Sequence, residues 1–249
     1  MPSDLVAATA DAANRFGSLA REVPHDRPVP FVRGWTVHHL VAHLTGDHEW
    51  ALGIVTSREA PTTGLRVSRR RGERLLDRYD EVTAELLEAL ARAAEEPDAP
   101  CPNFAQGSAG TLGWWPRHQA HEASVHLADL EGAAGLEIVR DPELSADGID
   151  ELFETYADRY PGQRLAEPLV LRSPGVATWL VEPAGRGRLR GRRTDDHRSH
   201  HQGAADLEAD PTVLLLALWH RTAPDDPRLR CAPGRADVVR RFLSGPLTA

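Results

Sequence analysis

The stretch Trp115-Pro116-Arg117-His118-Gln119-Ala120-His121-Glu122-Ala123-Ser124-Val125-His126-Leu127-Ala128-Asp129 decides how this chain is read. It contains no glycine, its one proline stands near its start, and it runs on to Ala134 before Gly135 stops it. That pattern predicts one helix from Trp114 to Ala134. Glu122 and His126 are four apart, about 40° around a helix, so both project from one face. His118 lies one turn further back on the same side. His121 is turned about 100° from Glu122 and points elsewhere. The run is not a zincin motif, because His121 and His126 are five apart instead of four. An i, i+4 pair of this kind can chelate one divalent ion.

A second stretch supplies what one helix cannot. Gly34-Trp35-Thr36 opens a helix with Thr36 as N-cap. Val37, Leu40, Val41, Leu44, Ala51 and Leu52 mark its apolar face, and His39, His43 and Asp47 recur every four residues. His43 sits between Leu40 and Leu44 and is expected to face the interior. One His from this helix with Glu122 and His126 from the other makes a two-His, one-carboxylate set. Three protein ligands leave positions open for water or substrate. Helical histidines are more often surface or capped core residues, so spacing alone does not establish the centre.

Two further helical patterns complete a bundle. Leu5, Val6, Ala8, Ala12, Phe16 and Leu19 recur in the first, and Leu75, Leu76, Tyr79, Val82, Leu86, Leu87 and Leu90 in the third, between about 69 and 94. A short fifth helix is expected over 145–160. After Pro161 the pattern changes. Leu169–Leu171 and Thr178–Val181 read as strands, a helix follows Asp210-Pro211-Thr212 through Trp219, Arg228–Ala232 reads as a strand and Arg235–Leu243 as a last helix. The expected organisation is a helical bundle over 1–160 and a small α+β domain over 161–249. Split there, the first part carries −12 and the second +4. Arg186 to His201, with six Arg and three His, reads as a solvated hairpin loop, since no aromatic is interleaved to stack a base.

Composition narrows the function. The chain has 249 residues and a net charge of −8, which gives no whole-protein footprint for nucleic acid. All 29 basic residues are Arg, so lysine Schiff-base and Walker-type chemistry are excluded. No signal peptide is read at the N-terminus and no apolar run approaches a membrane span, so a cytoplasmic protein with no membrane partner is expected. Cys101 and Cys231 then read as free thiols, and two cysteines are too few for a cysteine zinc site.

Three segments carry a family resemblance. Gly34 to Leu44, Trp115 to Asp129, and the tail Ala205-Asp206-Leu207-Glu208-Ala209-Asp210-Pro211 with Leu214 to Arg221 together resemble the mycothiol-dependent maleylpyruvate isomerase family. The resemblance implies a DinB-like four-helix bundle followed by a sterol-carrier-like α+β domain. It puts the metal ligands on His43, Glu122 and His126, and the expected ion is zinc. Asp129 matches a family Asp that orders the helix end or a neighbour of the site, and Arg221 matches an Arg that faces the site from the second domain. Two positions depart from the pattern: His220 stands where Gly is usual, and Leu127 where Arg is frequent. The implied chemistry uses mycothiol, the thiol of actinobacteria, as thiolate on an electrophilic small molecule, giving cis–trans isomerisation or S-transfer. Arg221 and the +4 balance suit an anionic substrate. A thiol-independent metal enzyme on the same bundle and a non-catalytic small-molecule-binding protein are the alternatives, and monomer and homodimer are both open.

Overall fold

The computed structural model describes residues 2–104, 110–156, 165–194, 205–245 and 247. It divides into two compact units, Met1–Ile138 and Val139–Ala249. Among the described residues no helix is long and apolar enough to cross a membrane.

The first unit is a four-helix bundle: α1 (Pro2–Glu22), α2 (Val37–Ser57), α3 (Glu73–Glu95) and α4 (Trp114–Ala134). The helices pack in a ring, α1 against α4 and α3, and α2 against α3 and α4. Sequence explains the helix ends. Thr36 caps α2 in an extended conformation, and its backbone N–H donates to Nδ1 of His39 at 3.1 Å. His39 is therefore a capping residue and is exposed. Gly135 ends α4 in the left-handed conformation, φ 74°, where a side chain would add strain. The core divides into two layers. Phe16, Leu40, Leu44, Leu75, Tyr79, Leu127 and Leu130 fill one, and Ile54, Leu86, Leu90, Leu112 and Trp115 fill the other.

The second unit begins earlier than the sequence reading placed it. Helix α5 (Pro142–Thr155) starts at the N-cap Asp141, whose carboxylate accepts from the Leu144 N–H at 2.9 Å. Ala146, Ile149, Leu152 and Phe153 of α5 join one core with Leu169, Leu171, Trp179, Val181 and Leu214. The boundary expected near 160 is thus corrected to 138/139, because the apolar face of α5 is spent on the sheet. Trp179 Nε1 also donates to Asp150 of α5 at 2.6 Å. The charge split changes with the boundary. Residues 139–249 hold 16 Arg and 17 Asp/Glu, so the second unit is nearly neutral and not basic.

The sheet has the order β3-β2-β1-β4-β5, with β1 (Leu169–Ser173), β2 (Ala177–Pro183), β3 (Leu189–Thr194), β4 (Leu207–Glu208) and β5 (Arg230–Cys231). β1 runs parallel to β4, and the other pairs are antiparallel. Helices α6 (Pro211–Leu218) and α7 (Ala236–Leu243) complete the unit. Strand β3 corrects a second expectation, since its Arg-rich sequence read as loop. It pairs with β2 along its whole length, and Gly191 lets the Phe153 ring lie directly on it: a Cβ there would stand 2.2 Å from the ring. His197 and His200 lie outside the described residues.

Candidate metal centre

The centre is built where α2 and α4 face each other. His43 projects from α2 and is partly exposed; Glu122 and His126 project from α4, with side chains 18% and 7% exposed. The rings of His43 and His126 meet edge-on with centroids 4.9 Å apart, and Trp35 lies 4.9 Å from His43 on another side. Nε2 of His126 is 3.3 Å from Oε2 of Glu122. Of the three residues that spacing and resemblance singled out, Glu122 and His126 are thus paired, and His43 reaches them through its ring contact with His126.

His126 is oriented from behind. Its Nδ1–H donates to Oδ2 of Asp129, 3.1 Å away, and both side chains are buried. That bond turns Nε2 toward Glu122. A carboxylate behind an imidazole is the usual way to fix a ligand's tautomer and raise its basicity. Asp129 is thus a neighbour of the site and not merely a helix-end residue.

The electrostatics follow from packing. Burial alone would depress His126, but its bonds to Asp129 and Glu122 outweigh that and push it up to about 9. Burial opposes ionisation of Glu122, yet the His126 bond and the nearby His118, His126 and His43 hold its carboxyl well below the ordinary range. Asp47, one turn beyond His43, is raised to about 6 by burial and by the charge of Glu122. Its Oδ2 accepts from Nε2 of Gln119 at 3.0 Å, which ties α2 to α4 one turn from His43 and Glu122. Sequence reasoning noted Asp47 only as a repeat position and did not single out Gln119. Their i+4 and i−3 offsets from His43 and Glu122 were the available signal.

A divalent ion fits the donor chemistry. Two ligand atoms on one tetrahedral ion at 2.0–2.2 Å stand about 3.3–3.6 Å apart, and the 3.3 Å between Glu122 and His126 lies at the short end of that range. Among the described residues, no three His, Cys, Asp or Glu side chains are drawn together as a ready three-donor group. The two-donor half is in place, and His43 meets it as a ring edge. The cysteines take no part. Cys101 is buried with its thiol toward the Ile54 carbonyl, Cys231 is half-buried, and burial raises both thiols.

Arg221 follows α6 in the second unit. Its Nη1 donates to the Trp219 carbonyl at 2.8 Å and its guanidinium lies 6.0 Å from the Trp219 ring. The two departures from the family pattern have structural explanations. His220 sits at φ 60°, the left-handed region that favours glycine, and its Nε2 bonds to the Gly245 carbonyl at 3.0 Å. Leu127 is 3% exposed and belongs to the bundle core.

Comparison with known proteins places this architecture. Residues 6–131 match the family model described as the mycothiol maleylpyruvate isomerase N-terminal domain. Two crystal structures share the fold, one of the mycothiol-dependent maleylpyruvate isomerase and one of a histidine-to-alanine mutant of it. Each has a TM-score of 0.63 and 14% identity over 94% of both chains. No curated protein matches by sequence. The matched residues take in all of α2 and α3 and most of α1 and α4, so they include His43 on α2 and Glu122 and His126 on α4, and the chain belongs to the mycothiol maleylpyruvate isomerase N-terminal domain family.

Proposed function

We propose that this protein is a cytoplasmic metal- and thiol-dependent enzyme that acts on an electrophilic small molecule, as a cis–trans isomerase of the maleylpyruvate type or as an S-transferase. The observation that carries it is the Glu122–His126 pair, set 3.3 Å apart with Asp129 behind the imidazole, inside a chain of this family. His43, Glu122 and His126 would hold the ion, zinc by the family resemblance, and two imidazoles with a carboxylate are a donor set that zinc accepts. When bound, the ion supplies positive charge that favours the thiolate form of an external thiol, mycothiol by family. Asp129 keeps Nε2 of His126 aimed at the centre. His43, being partly exposed, leaves that side of the site open to a cosubstrate. The guanidinium of Arg221, held against Trp219, is the group suited to a substrate carboxylate. The raised pKa values of Cys101 and Cys231 favour an external thiol over an internal one.

Metal analysis of the purified protein tests the first half. About one zinc per chain is expected in the wild type and none in His126→Ala. Full occupancy in the variant would overturn the ligand set. Turnover of a cis-enone acid with and without mycothiol tests the second half; activity indifferent to the thiol would mark a thiol-independent metal enzyme.

A further inference from the structure

Glu122 has a second imidazole beside it. His118 lies one turn before it on α4, as His126 lies one turn after, so the three side chains form an i, i+4, i+8 row on one helix face. Nε2 of His118 is 3.6 Å from Oε1 of Glu122, while Nε2 of His126 is 3.3 Å from Oε2. The two imidazoles therefore face different oxygens of one carboxylate, His118 at ion-pair distance just beyond hydrogen-bond range. His118 is only 2% exposed, and its ring is clamped. It stacks on Trp114 with centroids 4.3 Å apart and planes 17° apart, and it meets Phe104 edge-on at 4.7 Å. A ring held between two aromatic neighbours cannot turn away from Glu122 without breaking both contacts.

We propose that His118 is a positioning residue for Glu122, engaging Oε1 so that the carboxylate presents Oε2 alone to a metal ion. This rests on the metal-centre reading above. A carboxylate with both oxygens unengaged can chelate one ion through both, which uses up a coordination position. Occupying Oε1 keeps Glu122 monodentate and leaves that position for a cosubstrate. His118 acts here through Glu122 and is not itself a ligand.

The test compares His118→Phe, which keeps the aromatic stack and loses the N–H, with His118→Gln, whose amide can reach the same oxygen. Zn(II) affinity of the full chain is measured by competition with a chromophoric chelator, and the visible spectrum of the Co(II) form reports coordination number. Affinity is expected to fall about 10–100-fold in His118→Phe. Its Co(II) bands are expected to weaken as Oε1 joins the ion and coordination number rises. His118→Gln is expected to restore both, and far-UV circular dichroism should be native in each. Wild-type affinity and spectrum in His118→Phe would overturn the inference while leaving the centre standing. So would an equal loss of one ligand in both variants, which would make His118 a ligand. A wild-type chain that binds neither ion would overturn the metal-centre reading and this inference with it.

Discussion

His126 and His48 show how opposite environments act on one side-chain type. His126 gains two carboxylate partners and is raised; His48 is fully buried, shares a 2.9 Å bond with Thr83 and is lowered to about 3 by burial, with the charge of His126 adding to it. The folded protein thus excludes a proton that the unfolded chain takes up below about 6.5. The contribution of neutral His48 is full above that pH and is lost as pH falls toward 3, at up to ~1.4 kcal/mol per pH unit. His48→Gln should flatten the decline in urea stability between pH 6 and 4; an unchanged slope would show that other groups govern it. Asp129 offers a complementary case. Asp129→Asn keeps the shape and loses the charge behind His126, so zinc affinity should fall by about 10–100-fold while the melting temperature changes little. His220 is the third. His220→Gly relieves the left-handed strain but loses the bond to Gly245, two terms of about 1 kcal/mol each and of opposite sign. The variant should melt within a few degrees of wild type, whereas His220→Ala keeps the strain without the bond and should melt lower. The pairing of Glu122 with His126 was legible because their spacing is local to one helix. Asp129 was matched by resemblance to an Asp that orders the helix end or a neighbour of the site, and its bond to His126 was not visible until the helix was built. Gln119 was missed because its partner comes from another helix, 72 positions away.

At the level of elements, the sequence was most informative where one helix carries its own period. Helix α4 was read with its observed ends, and α2 with its cap. Strand β3 was missed because Leu189-Arg190-Gly191-Arg192-Arg193-Thr194 has almost no apolar alternation. Its place comes from the ladder to β2 and from the glycine under Phe153, both of which are long-range facts. Gly191→Ala should therefore be costly. The methyl group would overlap the ring, and the overpacking should destabilise the second unit by about 1–3 kcal/mol. Thermal unfolding would show it, and pairing the change with Phe153→Leu should recover part of the loss. A neutral result would mean that α5 can lift from the sheet at little cost.

For the molecule as a whole, two units were foreseen but not their border. The fifth helix was read as leading out of the four-helix bundle and was left on the bundle side of the border; its shared core with Leu169, Trp179 and Leu214 assigns it to the sheet. A fragment beginning at Val139 should fold cooperatively, and one beginning at Pro161 should not, because it would uncover the apolar face that α5 protects. Protease resistance and near-ultraviolet circular dichroism would distinguish them. Equal behaviour of the two fragments would return the border to 160. The revised border also removes the basic balance that had favoured an anionic substrate, so that reading now rests on Arg221 and not on the charge of a domain.

The arginines of β3 carry one more implication. Among the described residues β3 is an outermost strand of its sheet, and Arg190, Arg192 and Arg193 are exposed along it. A bare outer strand is a template on which a second chain can add and begin an aggregate, and lysine is the residue most often set there to prevent it. This chain has no lysine, and arginine takes that guarding role. The same residues that hid the strand from the sequence set like charges along a rim that would face a second copy.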